Sequence, residues 1–234
     1  RLDAEEAENA GGDLSASAAF SETSVILLSD YAKGAVSETV ARAAVATGRP
    51  VIVDPKGRDF GRYGAVAVIK PNASELAAAT GLPTRTVAEV ETALAALMDR
   101  CEAQALIVTR AGKGMSLMRR GGPVVHVPGR AREVFDVSGA GDTVLAALGL
   151  AIGAGAELEE AVAFAILASG VVVGKSGTGV VTPAELIDAE MTGHAAAAHA
   201  KVTPLDALAD EVEAWRRKGL KVGFTNGCFD ILHR

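Results

Sequence analysis

The stretch Ser24–Pro55, SVILLSDYAKGAVSETVARAAVATGRPVIVDP, decides the fold class. Val25–Leu28 is an unbroken apolar run, as in a strand covered on both faces. Apolar residues then recur at helical spacing from Val36 to Thr47, and Gly48-Arg49-Pro50 breaks the chain. Val51–Val53 is a second apolar run, ending at Asp54-Pro55. Strand, helix and strand in that order make a βαβ unit, which predicts an α/β domain with a mostly parallel sheet flanked by helices.

The pattern continues outward. Val66–Ile69 reads as a third strand, ending at Lys70-Pro71-Asn72, with a helix from about Ala73 and another over Val87–Arg100. Ala105–Thr109 is a fourth strand. Met115–Met118 and Val124–Val127, separated by RRGGP, predict a hairpin added to the sheet. Two Ala-rich helices are expected over about 140–153 and 157–173, and a shorter one from near Pro183. After Met191 the stretch TGHAAAAHAK has no apolar stripe, and residues 192–204 read as a linker. A helix from Pro204 through Trp215 and a strand from Lys221 follow. No tandem repeat is evident.

Bulk properties narrow the class. Apolar residues make up 49% of the 234 and aromatics 4%, which suits a core of Ala, Val, Leu and Ile. A net charge of −6 with no Lys/Arg cluster argues against a nucleic-acid surface. No apolar stretch is long enough for a membrane span, and the acidic start RLDAEEAENAGGD is unlike a secretory signal. Cys101 and Cys228 have neither CxxC spacing nor histidine neighbours, so the expected compartment is the reducing cytoplasm.

Four motifs carry chemistry, each with a plainer alternative. In FDVSGAGDTV, Phe135–Val144, the small residues Gly139, Ala140 and Gly141 let backbone approach a ligand, and the following helix aims its N–H groups and positive dipole end at the turn. Asp142 in the first turn can accept a proton from an attacking hydroxyl, while Asp136, Ser138 and Thr143 can support the loop. The alternative is a tight turn with an ordinary first-turn acid. In KPNASE, Lys70–Glu75, Asn72 and Glu75 suit a magnesium ion held through water, or else a capping box. VTRAGKGM, Val108–Met115, puts a Gly-rich loop after a strand, for a nucleotide or simply as a turn. LSDYAKGAV and VDPKGRDFGRY bring Asp30, Tyr31, Lys33, Asp54 and Lys56 to one sheet edge, where lysines suit a phosphorylated substrate or are merely solvated.

In this order, the NxxE, T-R-x-G-x-G and D-x-x-G-A-G-D stretches over residues 24–190 resemble the ribokinase-like sugar kinases. The resemblance implies that Asp142 is the catalytic base and that the amides of Gly139, Ala140 and Gly141 form an anion hole. It implies that Asn72 and Glu75 organise Mg²⁺ and ATP phosphates, and that Thr109, Gly112 and Gly114 touch the nucleotide. GVVVGKSGTGVV, Gly170–Val181, would complete the adenine pocket. The closing TNGCFDILH, Thr225–His233, resembles the first motif of the nucleotidyltransferases, with Thr225, Gly227, Phe229, Asp230 and His233 in place.

Together with the lysine-bearing Asp30/Lys33 and Asp54/Lys56 stretches, these motifs resemble the bifunctional heptose 7-phosphate kinases and heptose 1-phosphate adenylyltransferases of ADP-heptose synthesis. On that resemblance, residues 1–191 are expected to be the C-terminal portion of a kinase domain and 205–234 the start of a Rossmann-like adenylyltransferase domain. The chain is then a window on a longer protein, lacking the early strands and lid, and is expected to be inactive alone. ATP and Mg²⁺ are the implied cofactors, heptose phosphates the substrates, and a homodimer the implied assembly. A single-function sugar or nucleoside kinase, or a non-catalytic nucleotide-binding module, are the rival readings.

Overall fold

The computed structural model describes residues 22–129, 139–175, 179–199, 205–217 and 221–223. The chain divides into two compact units, residues 1–186 and 187–234. The first contains one six-stranded sheet: β1 (Ile26–Ser29), β2 (Val51–Asp54), β3 (Val68–Ile69), β4 (Ala105–Thr109), β5 (Met115–Arg119) and β6 (Val124–Val127), side by side in chain order. β1 to β4 run parallel, and β5 and β6 return antiparallel as the expected hairpin.

Helices cover both faces of β2, β3 and β4, which explains their unbroken apolar runs. β1, at the sheet's edge, is buried on one face only, and its Leu27 is 38% exposed. On one face, Val51 and Val53 pack with residues of α1 (Glu38–Ala46), α2 (Ala73–Thr80) and α3 (Val87–Met98). Ile52, between them, faces the opposite way and joins α4 (Ala140–Gly153) and α5 (Leu158–Val173). Fully buried Leu148 on α4 and Ile107 on β4 anchor that second core. Truncating either to Ala removes about 2–5 kcal/mol of stability.

Local chemistry sets the boundaries. α1 begins at Glu38 rather than Val36 because the Ser37 hydroxyl accepts the Val40 N–H at 3.2 Å. α3 stops at Met98, whose carbonyl, left open at the helix end, accepts from the Arg120 guanidinium, as do the carbonyls of Cys101 and Ala103 in the loop beyond. α4 spans 140–153, as its pattern predicts.

α6 (Pro183–His199) runs beyond Met191, through residues expected to be linker. Four consecutive alanines, Ala195–Ala198, have the highest helix propensity and need no apolar stripe to continue a helix already begun. α7 covers Leu205–Arg217. Lys221–Gly223 belong to no strand, and the rest of the expected strand lies outside the described residues. Among the described residues, no helix is long and apolar enough to cross a membrane.

Candidate active site

The carboxyl ends of the parallel strands lie side by side, the edge at which open α/β sheets bind ligands. β1 ends at Ser29 beside Asp54 of β2, and a bridge joins Asn72, after β3, to Thr109 at the end of β4. α4 packs against β1 and β2 and brings its N-terminus to the same edge. Gly139 caps that helix with φ +77, a conformation that suits glycine, and offers no side-chain oxygen to the first-turn amides.

Asp142 stands exposed on the first turn of α4. The Tyr31 hydroxyl donates to its carboxylate, 3.1 Å from Oδ1 and 3.2 Å from Oδ2. Beneath it, Lys70 Nζ and Asp54 Oδ2 form a pair at 3.0 Å, with the lysine side chain 3% exposed. A Cβ added at Gly141 would sit 3.9 Å from Asp54 Oδ2 and 4.0 Å from Lys70 Nζ, so this pair floors the turn. Burial pushes the Asp54 carboxyl up, against the opposing pull of the Lys70 ammonium, and the negative charges of Glu75 and Asp142 add to the rise.

Asn72 and Glu75 form a full capping box. Asn72 Oδ1 accepts the Glu75 N–H at 2.9 Å, and Glu75 Oε2 accepts the Asn72 N–H at 2.9 Å. Capping and cation binding are compatible here, because Glu75 Oε1 is left to face a cation, the Lys56 ammonium at 2.8 Å. That bond and charge hold the Lys56 pKa above its ordinary value. A carboxylate oxygen that already accepts a cation fits a hydrated Mg²⁺, which takes few protein ligands. Among the described residues, no group of three or more His, Cys, Asp or Glu is arranged for a metal by itself.

The remaining expected residues are held by various groups. Asp30, expected at the substrate, is 6% exposed and engaged by its own chain: Oδ1 accepts the Ala32 N–H at 2.8 Å, and Oδ2 accepts the Tyr63 hydroxyl at 2.6 Å and the Arg62 guanidinium. Burial and the bond to Asp30 push the Tyr63 phenol up to about 12. Lys56 lies at Glu75, on the side expected to serve the nucleotide, and Lys33 is exposed on the loop after β1. Gly114, expected at the nucleotide, has φ +90, and a Cβ there would lie 2.1 Å from the Val127 carbonyl oxygen. Packing against the end of β6 therefore requires this glycine, whereas the space around Gly112 is open. Beside that loop, Arg110 Nε is buried with no hydrogen-bond partner among the described residues.

Gly170–Val173 form the last turn of α5, and Lys175 bonds Glu185 Oε1 at 2.6 Å; residues 176–178 of the expected adenine pocket lie outside the described residues. So do Asp136 and Ser138, and the motif residues Thr225, Gly227, Phe229, Asp230 and His233. Sequence reasoning missed the roles of Lys70, Arg62 and Tyr63. The signal for Lys70 was a lysine closing an apolar strand. Arg62 and Tyr63 gave none, because their partner is more than thirty residues away.

The sequence profile described as pfkB family carbohydrate kinase matches residues 2–185, beginning well before Ser24, where the motifs start. The chain is 52% identical over 215 residues to the bifunctional protein HldE of Hyphomonas neptunium, covering 90% of this chain and 44% of that one. It is 46% identical over 236 residues to the bifunctional protein HldE of Rhodospirillum rubrum, covering 99% of this chain and 47% of the relative. It thus spans less than half the length of these curated relatives. Among solved structures, Arabidopsis thaliana ribokinase complexed with ribose and ATP superposes with a TM-score of 0.64 at 27% identity, over 71% of this chain and 55% of that one. Thermotoga maritima ribokinase gives 0.64 at 23% identity, over 80% and 62%, a likeness of fold.

Proposed function

The chain belongs to the pfkB family of carbohydrate kinases, and we propose that it carries the kinase site of a bifunctional heptose 7-phosphate kinase and heptose 1-phosphate adenylyltransferase. The reaction is transfer of the γ-phosphoryl group of ATP to the anomeric hydroxyl of heptose 7-phosphate. Asp142 accepts the hydroxyl proton, the freed oxygen attacks the γ-phosphorus, and the bond to the β–γ bridging oxygen breaks to release ADP. The amides of Gly139, Ala140 and Gly141, at the positive end of α4, take the charge that develops on the transferred group. Asn72 and Glu75 would hold Mg²⁺ through water, where it would neutralise charge on the β- and γ-phosphates. Lys56 and Arg110 supply further positive charge on the nucleotide side. Adenylyl transfer to heptose 1-phosphate rests on Thr225–His233 and on the likeness to the two bifunctional relatives.

One observation carries the kinase reading. Asp142 is an exposed carboxylate that already accepts an O–H, at the open end of a helix that no side chain at its N-cap closes. The test is Asp142→Asn in the protein made from the complete reading frame that contains this chain. Turnover of heptose 7-phosphate should fall by about 10²–10⁴, with ATP affinity unchanged by calorimetry. A collapse of ATP affinity instead would make Asp142 a nucleotide-binding or structural residue.

A further inference from the structure

Tyr31 has no part in the reaction as written, yet it touches the one group on which that reaction depends. Its side chain is 60% exposed, so packing does not hold it there. The hydrogen bond does, together with the turn that carries it. Ala32 adopts φ 56, a left-handed conformation unfavourable by about 1–2 kcal/mol for a residue with a Cβ. The strain persists because the Ala32 N–H is fixed on Asp30 Oδ1, and Asp30 is itself locked by Arg62 and Tyr63 in a buried cluster. A hydrogen-bonded cluster just past the end of β1 therefore presents a phenol to Asp142.

We propose that Tyr31 makes the site select a sugar hydroxyl over water, by occupying Asp142 until a bound acceptor displaces it. This rests on the reading of Asp142 as the base. The phenolic O–H lies between both carboxylate oxygens and takes the acceptor edge they share, so a hydroxyl that is to lose its proton to Asp142 on that edge must compete with it. A sugar phosphate brings binding energy from its remote groups to that competition, and a water molecule brings none. Without the phenol, Asp142 would take a proton from water, the water oxygen would attack the γ-phosphorus, and the bond to ADP would break to give inorganic phosphate.

The experiment uses Tyr31→Phe, which keeps the ring and removes only the hydroxyl, in the protein made from the complete reading frame. Acceptor-free hydrolysis of Mg-ATP should rise by about tenfold and should fall back when Asp142→Asn is added. Calorimetric titration with heptose 7-phosphate, without nucleotide or metal, should show about fivefold tighter binding, because no hydrogen bond has to be surrendered. The KM for the sugar should fall in parallel. Unchanged hydrolysis and unchanged sugar affinity overturn the proposal, and so does extra hydrolysis that survives the added Asp142→Asn. Sugar phosphorylation that survives Asp142→Asn alone identifies a different failure, that of the base assignment itself.

Discussion

At Asn72–Glu75 and at Gly139–Asp142 the chain opens a helix with an acidic residue at the same place, the third helical position. At the first, a glutamate folds back on the cap amide while the cap side chain bonds the glutamate's own N–H. At the second, the cap is a glycine and the acid is an aspartate, one methylene shorter, which turns outward to the Tyr31 hydroxyl. One turn satisfies its amides from within and leaves a single carboxylate oxygen for a cation. The other leaves its amides without a side-chain cap and holds its carboxylate against the Tyr31 hydroxyl. The difference teaches that capping and binding draw on the same groups, and a cap without a side chain is what releases them.

The sharpest way to break this comparison is to swap each acid for its amide. Asp142→Asn should lower turnover by about 10³, while Glu75→Gln, which keeps an acceptor for the box, should lower it by about 10. Equal losses in steady-state kinetics would show that the two turns do not divide the work.

Next in size is the floor beneath the open turn. Lys70→Met strips the half-buried Asp54 carboxylate of its buried partner and should reduce stability by about 3 kcal/mol at pH 7 in denaturant unfolding. Burial already holds the Asp54 pKa above its unfolded value, so the folded state binds the proton more tightly. The loss should therefore shrink as pH falls through the raised pKa and grow as pH rises. A loss that does not vary with pH would separate the pair from the effect.

Smaller changes probe the caps. Asn72→Ala should cost about 1 kcal/mol by losing a side-chain cap, and Gly139→Ala about 1 kcal/mol by placing a Cβ in a left-handed turn. Both should lower Tm and weaken Mg-ATP binding, but only Gly139→Ala should also weaken the binding of ATP without metal. Smallest is Lys56→Met: its pair with Glu75 is half exposed, and its removal should change stability by less than about 1 kcal/mol, less still in high salt.

Much of this architecture is legible in the sequence because its signals are local. Unbroken apolar runs mark the strands, though at the edge strand β1 only one face is covered, and β4, β6 and α4 fall on the residues their patterns predict. The Asp142 turn is legible for the same reason, as small residues followed directly by a helix. What cannot be read is pairing at a distance. Asp30 has the same sequence character as Asp54, but only the approach of Arg62 and Tyr63 turns it from a surface acid into a buried anchor. Lys70 appears as a strand's polar end until Asp54 of the neighbouring strand is placed beside it. The helix through residues 192–199 is hidden for another reason, since it carries no amphipathic stripe and alanine needs none to stay helical.

The glycine that heads α4 has one more effect, on how such a site decays over generations. Peptide groups are copied whatever the codon, so a lineage that loses its carboxylate at position 142 keeps the main-chain donors that are proposed to take the anion. On that proposal, a descendant that had lost the chemistry would still bind phosphorylated compounds, its grip outlasting its turnover.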